Sequence, residues 1–173
     1  MTDKKISELA SNGTLNGSEL VELVQSGSNV KALLSAIKTW VINGLAVDNF
    51  VIACSDRSTA ITIGTNKMSF RNVGARKLNS VRASLDTAGT GTATAIDINV
   101  NGISIFATTL TIDATKQTSV DAATPFVFKT TSHSGWSGSP NYQIDDNAKV
   151  SIDFDAVGTG AKGLDVAFLT EWA

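Results

Sequence analysis

The sequence predicts a mainly β protein, an antiparallel β-sandwich or barrel preceded by a small α/β unit. From Phe50 onward, apolar and polar residues alternate with a period of two, which is typical of strands with one buried face. Short stretches rich in glycine, serine and asparagine separate these runs, as in sandwiches and barrels. Only 17% of the residues are charged, and lysine and glutamate are scarce, which favours strands and turns over exposed helices.

The change of pattern divides the chain into three parts. Residues 1–44 form an N-terminal unit, residues 45–49 a linker, and residues 50–173 the sandwich domain. The first unit is mixed, because its SELVELVQ stretch suits either one face of a helix or a short strand. No apolar run reaches the length of a membrane span, so we expect no membrane insertion.

A helical stripe is predicted near the end of the N-terminal unit. Five apolar residues recur there at helical spacing, and Asn43-Gly44 ends the pattern. These residues are Leu33, Leu34, Ile37, Trp40 and Val41. A helix this short needs a surface to pack on, so we predict that the stripe forms an interface between subunits or between the two units.

The stretch TAIDINVNGISIFA predicts a β-hairpin. Asn101-Gly102 favours a type I′ turn, because both central residues of that turn have positive φ. The predicted pairs are Val100 with Ile103, Asn99 with Ser104, Ile98 with Ile105, Asp97 with Phe106 and Ile96 with Ala107. We interpret the row of Asp97 and Asn99 as solvated strand surface, since alternate residues of one strand do not converge on a metal ion.

Motifs that could carry catalysis are weak. GTGAKG, residues 158–163, has the G-x-G-x-x-G pattern, but the residues after it alternate like a strand and supply no helix N-terminus for a phosphate. One histidine and one cysteine nearly exclude nucleophile–base pairs and histidine-rich metal sites. We expect no catalytic residue, metal or cofactor, and the net charge of −2 suggests no nucleic-acid partner.

The loop 129–147 holds the candidate recognition residues. His133, Trp136 and Tyr142 stand there among serine, glycine and asparagine, a composition that recognition surfaces use. Two interpretations remain open. The rings either cover the end of the sandwich or pack on another subunit, or they bind a carbohydrate.

Two stretches resemble virion proteins of tailed bacteriophages. KISELASNGTLNGSELVELVQSGSNVKALLSAIKTW looks like the N-terminal modules of fibre and tail proteins. The matching residues are Lys5-Ile6-Ser7-Glu8-Leu9, Leu15, Gly17, Glu19 to Gln25, and Ser35-Ala36-Ile37-Lys38. VRASLDTAGTGTATAIDINVNG, with KVSIDFDAVG later in the chain, is similar to a β-sandwich module common in phage virions.

The resemblance implies a structural protein of the virion, such as a tail fibre, head fibre or decoration protein. Residues 1–44 would then dock to other virion proteins of the capsid, portal, neck or tail. The sandwich would project outward as a jelly-roll-like homotrimer. The alternative is a module that binds host cell-surface glycans through Trp136, Tyr142 and His133.

Overall fold

The computed structural model describes residues 20–25, 28–33 and 48–173. Strands are the regular elements of these residues, together with one short 3-10 turn at Ser119–Asp121. The chain divides into two compact units, Met1–Ala46 and Val47–Ala173. In the part of the chain that the structure describes, no helix is long and apolar enough to cross a membrane.

The first unit contains an antiparallel hairpin of β1 (Leu20–Gln25) and β2 (Ser28–Leu33). The SELVELVQ stretch, which suited either a helix or a strand, is therefore a strand over its last six residues. Leu33 is the last residue of β2, so the predicted helical stripe does not begin there. The other four stripe residues, Leu34, Ile37, Trp40 and Val41, lie outside the described residues.

Two antiparallel sheets build the second unit. Its strands are β3 (Phe50–Ala53), β4 (Gly64–Arg71), β5 (Arg76–Thr87), β6 (Thr94–Val100), β7 (Ile103–Ser104), β8 (Phe106–Thr108), β9 (Leu110–Ile112), β10 (Val127–Phe128), β11 (Trp136–Ser137), β12 (Gln143–Ile144), β13 (Lys149–Ala156) and β14 (Lys162–Trp172). The first sheet has the order β3-β14-β5-β12-β11. The second has the order β4-β13-β6-β7, with β9 also pairing with β6, and β8 pairs with β10 apart from both sheets.

Both sheets bury one face in a shared hydrophobic core. Alternate residues of β6 and β13 are buried, and among them Ile98 and Ile152 are 0% exposed, as is Phe168 of β14. Phe168 stacks on Phe50 with ring centroids 4.9 Å apart, and it meets Phe70 of the second sheet edge-on at 5.8 Å. Burial of each such side chain contributes about 1.5–3 kcal/mol. The two-residue alternation predicted for these strands is confirmed.

The alternation that begins at Phe50 also predicts a strand at TAITIG, residues 59–64, but this stretch is irregular. Residues 59–64, TAITIG, join a strand only at the last position. The Asp56 carboxylate accepts hydrogen bonds from the backbone N–H groups of Ser58 and Thr59, at 2.7 and 2.6 Å, and these bonds turn the chain. The bond from Thr59, followed by those from Ser58, lowers the pKa of Asp56 to about 2. These bonds turn the chain at the start of the stretch, and within it the Ile61 N–H donates to the Ala161 carbonyl at 2.9 Å.

The Asn101-Gly102 turn is confirmed. Both residues have positive φ, +50° and +84°, as a type I′ turn requires. The turn pairs Val100 with Ile103 and Asn99 with Ser104, as predicted. Asn101 also links this corner to its neighbours, because its amide nitrogen donates to the Ser134 carbonyl at 3.1 Å and its amide oxygen accepts from the Lys149 N–H at 3.0 Å.

The Ile105 N–H donates to the Ile98 carbonyl at 2.9 Å, in keeping with that predicted pair, but beyond Ile105 the register predicted for this hairpin is wrong. Asp97 does not pair with Phe106, nor Ile96 with Ala107, because the chain leaves β6 to form β8 and returns to it only as β9. The Ser104 hydroxyl accepts a hydrogen bond from the Phe106 N–H at 3.1 Å, which closes a local bend. The bend turns Phe106, predicted to face solvent, into the core at 4% exposure.

Candidate functional site

Trp136 lies in the core and not on a solvated loop. Its side chain is 1% exposed, and its indole N–H donates to the Lys129 carbonyl at 3.3 Å. The ring centroid lies 5.7 Å from that of Phe128 and 6.2 Å from that of Tyr142. This burial favours the interpretation in which Trp136 covers the sandwich. As a carbohydrate-binding residue it is a poor candidate, because no ring face is open to a ligand.

The other two candidate recognition residues stand beside Trp136. His133 and Trp136 close a tight hairpin through two backbone hydrogen bonds of 3.0 and 2.9 Å, with Gly135 at a φ of +80°. Nε2 of His133 is buried without a hydrogen-bond partner among the described residues. Tyr142 is half-buried and packs on the core. The fold thus brings the three residues together, as supports of one corner of the domain.

A row of carboxylates lines the outer face of the second sheet. Asp97 of β6 lies directly opposite Asp153 of β13, and Asp155 follows on the same face. Ser104 donates to Asp97 at 2.6 Å and the Asn99 amide donates to Asp153 at 3.1 Å. Within the described ranges, no group of three or more histidine, cysteine, aspartate or glutamate side chains could hold a metal ion.

This row is less solvated than the alternating pattern predicted. Asn99 is only 9% exposed and Asp97 is half-buried, because β7 and the Ser104 bend cover part of the face. Burial raises the pKa of the Asp97 carboxyl above its ordinary value of 3.8; repulsion from Asp155 and Asp153 adds to the rise, and the Ser104 hydrogen bond opposes it. The ionised form of Asp97 is therefore less favourable in the folded protein than in the unfolded chain.

We expect the Asp97→Asn variant to be more stable than the parent protein at neutral pH. The amide oxygen still accepts from Ser104, while the like charge opposite Asp153 is removed, a cross-strand repulsion of about 0.2–1 kcal/mol. Because folding raises the pKa of Asp97, the protein loses stability as the pH rises from the pKa of the unfolded state to that of the folded state. Asparagine does not titrate, so the variant does not lose this stability.

Urea unfolding from acid to neutral pH measures the effect on the free energy of unfolding. Asp155→Asn is the matched control, since Asp155 is in the same row but exposed, and a smaller gain is expected there. A destabilised Asp97→Asn protein with a steeper dependence on pH would contradict the raised pKa.

Cys54 is a buried core residue, 7% exposed, whose thiol lies 3.4 Å from the Ile52 carbonyl oxygen. Burial, followed by the nearby Asp165 charge, raises the pKa of the thiol to about 12.

Because the thiolate is the reactive form, we expect an aromatic disulfide reagent to label Cys54 in the native protein only at the rate at which the protein unfolds. A Cys54→Ala/Thr65→Cys protein, whose new thiol is on an exposed strand position, should label at once. Equal rates for the two proteins would show that Cys54 is accessible.

The GTGAKG motif begins in the loop after β13, and its last two residues, Lys162 and Gly163, are the first two of β14. Thr159 within it exchanges backbone hydrogen bonds of 3.0 and 2.9 Å with Thr90, in the loop between β5 and β6. The Gly158 N–H donates to the Thr94 hydroxyl at 3.2 Å. β14 begins at Lys162, so a strand follows and not a helix, as predicted. Gly158 instead allows this loop to pack closely on the loop between β5 and β6.

The outer face of the first sheet carries exposed apolar residues that no sequence motif indicated. Val51 of β3, Ala167 of β14 and Arg82 of β5 lie side by side across the sheet. Val51 is 64% exposed, and Val120 of the adjoining 3-10 turn is 62% exposed. Grooves of about 410 and 210 Å³ flank Arg82 and Val120. We call this surface, defined by Val51, Arg82, Val120 and Ala167, the Arg82 face.

Comparisons with known proteins add no relative. The chain matches no family model, no curated protein and no solved structure. What the described residues define is a class, a mainly β protein built from antiparallel sheets around one core.

Proposed function

We propose that the protein is a structural component of a bacteriophage virion, a fibre, tail or decoration protein. Its N-terminal unit docks to the particle, and its sandwich projects outward as part of a homotrimer. The order of the strands in the two sheets is the observation that supports this proposal most. The arrangement of β3-β14-β5-β12 beside β4-β13-β6-β7 matches the order expected of a jelly roll, the double Greek key found in viral capsid and lectin domains. The resemblance of both units to phage virion modules supports the same role.

The way in which polar groups are used also supports a structural, non-catalytic role. Asp153 accepts from the Asn66 N–H at 2.6 Å and from the Asn99 amide at 3.1 Å, so its oxygens serve the sheet. Asn72, 4% exposed, donates its amide nitrogen to carbonyls at 2.8–3.1 Å and holds a corner together. Together with the raised pKa of Cys54, this leaves these groups without reactive character.

Glycan binding through loop 129–147 is the weaker proposal. Trp136, the ring on which that interpretation most depends, is 1% exposed, and Tyr142 is half-buried beside it. A sugar would have to displace core aromatic contacts before it could stack on either ring.

Purified particles of the phage that encodes the chain provide the test. Quantitative mass spectrometry is expected to find the chain at a fixed copy number that is a multiple of three. Gold-labelled antibodies should mark one defined position on each particle. Particles that contain the capsid and tail proteins but not this chain would refute the virion role.

A further inference from the structure

The Asn101-Gly102 turn combines a chemically weak residue pair with a backbone geometry that protects it. Asparagine is a thermolabile residue, and a following glycine has no Cβ to hinder attack by its own backbone nitrogen on the asparagine side chain. We propose that Asn101 is a deamidation site that the native turn keeps unreactive, and that its conversion, once the corner opens, prevents the corner from closing again. The inference does not depend on the virion role.

The reaction consumes one water and releases ammonia. The Gly102 nitrogen forms a bond to Cγ of Asn101, the bond from Cγ to Nδ2 breaks, and the proton of the attacking nitrogen passes to the ammonia that leaves. The product is a cyclic imide between the two residues. Water then opens the ring at either carbonyl. Attack at Cγ gives aspartate, whereas attack at the backbone carbonyl gives isoaspartate, in which the main chain runs through the former side chain.

The turn directs the attacking nitrogen away from the carbon that it must reach. Asn101 has a φ of +50°, and the first central residue of a type I′ turn has a ψ of about +30°. Ring closure requires the Gly102 nitrogen and the Asn101 Cβ to lie on the same side of the bond between Cα and the carbonyl carbon. At the ψ of the turn they lie on nearly opposite sides, so the ring closes only after the turn has opened.

The Asn101 side chain is also held at both of its polar atoms. Nδ2 donates to the Ser134 carbonyl at 3.1 Å, and Oδ1 accepts from the Lys149 N–H at 3.0 Å. A Cβ on Gly135 would lie only 2.5 Å from Nδ2, so the amide has little room to rotate. Although Asn101 is exposed to water, its reaction therefore requires these contacts to separate first.

Neither product restores the closed corner. Aspartate has no N–H to donate to the Ser134 carbonyl, and it places a carboxylate oxygen against that carbonyl oxygen. Isoaspartate adds a methylene to the main chain of a two-residue turn, which disturbs the pairing of Val100 with Ile103. It also converts the side-chain acceptor of the Lys149 N–H into a main-chain carbonyl. The reaction thus acts in one direction, from a closed corner to an open one.

Peptide mapping by mass spectrometry, after incubation of the full-length protein in mildly alkaline buffer, tests the protection. In urea, Asn101 is expected to convert about as fast as Asn12, Asn16 and Asn43, which also precede glycine. In the native protein its conversion is expected to be at least about tenfold slower than in urea, because only the open corner reacts. Equal rates for Asn101 with and without urea would overturn the proposal.

Two glycine variants distinguish opening of the corner from unfolding of the whole domain. Gly135 and Gly160 have φ values of +80° and +79°, so alanine is strained at both positions. A Cβ at Gly135 would press on the Asn101 amide, whereas one at Gly160 would meet nothing within 4 Å. Gly135→Ala is expected to accelerate the native conversion of Asn101 about tenfold, and Gly160→Ala to leave it within about twofold. Equal acceleration by the two variants would contradict a local opening.

The dependence of the parent protein's rate on urea makes the same distinction without a variant. Below the unfolding transition, the conversion of Asn101 is expected to depend weakly on urea, since opening one corner exposes little surface. A rate that rises with urea as steeply as the unfolding equilibrium would mean that Asn101 reacts only from the unfolded chain, against the proposal.

Hydrogen exchange of the converted protein tests the second half of the proposal. Protein converted in urea is refolded, and the form with isoaspartate at position 101 is isolated by ion exchange. The Lys149 N–H is expected to exchange at least about tenfold faster in this form than in the parent. The matched control is the fraction from the same incubation that is converted only at Asn12, Asn16 or Asn43. Parent-like protection of Lys149 in the isoaspartate form would show that the corner closes again and would overturn the proposed one-way change.

Discussion

Replacing Trp136 by alanine is expected to lower the free energy of unfolding by about 3–5 kcal/mol. The indole is 1% exposed, and it packs with Phe128 and Tyr142 in one aromatic cluster. Its loss leaves a cavity and an unpaired Lys129 carbonyl. Urea unfolding monitored by circular dichroism measures the change.

Two control variants separate packing from recognition at this corner. Trp136→Phe keeps most of the ring volume but loses the hydrogen bond to Lys129, so about half the destabilisation is expected. An alanine variant at His133, which is less buried than Trp136 and whose Nε2 has no hydrogen-bond partner among the described residues, should lose much less stability than Trp136→Ala. A Trp136→Ala protein as stable as its parent would place the indole outside the core and reopen the carbohydrate interpretation.

Replacing Gly158 by alanine is expected to destabilise the second unit by about 1–3 kcal/mol. A Cβ there would lie 2.8 Å from the Thr92 carbonyl oxygen and 2.9 Å from the Gly89 Cα. These are backbone atoms of the facing loop, so relief requires the two loops to separate and the Thr90–Thr159 hydrogen bonds to lengthen. Thermal unfolding of the variant measures the loss.

The matched control for this glycine is Gly64→Ala. A Cβ at Gly64 meets only the flexible Lys67 side chain, at 3.1 Å, so a change within about 0.5 kcal/mol is expected. Gly89→Ala should behave like Gly158→Ala, because its Cβ would lie 2.7 Å from the Gly158 Cα. Equal stability of the Gly158 and Gly64 variants would mean that the loop at Gly158 does not pack closely on the loop at Gly89.

Local patterns in the sequence predict the features that depend only on neighbouring residues, such as turns and the buried face of a strand. Asn101-Gly102 specifies its turn because few other residue pairs tolerate two positive φ values, and the adjacent pairs of β6 and β7 follow from it. The long runs of β13 and β14 alternate clearly enough to show their buried faces. The order of the strands in the sheets depends on contacts between distant parts of the chain, so periodicity does not predict it. The proposed jelly roll came instead from the resemblance to phage virion modules.

The errors have an equally physical origin. The Ser104 hydroxyl competes with strand pairing and moves Phe106 from the predicted solvent face into the core, although the side-chain pattern alone permits a continuous strand. For Trp136 the sequence left two interpretations open, because this residue stands in a polar loop and its burial depends on Phe128 and Tyr142, which only the folded chain brings near. The Arg82 face was missed because each of its residues is ordinary in its own strand.

The mass of the purified full-length chain in solution is the most direct test of a self-associating structural protein. Native mass spectrometry at micromolar concentration is expected to show one species of three times the 18.1 kDa of a single chain. A species of 18.1 kDa that persists as concentration rises would contradict it.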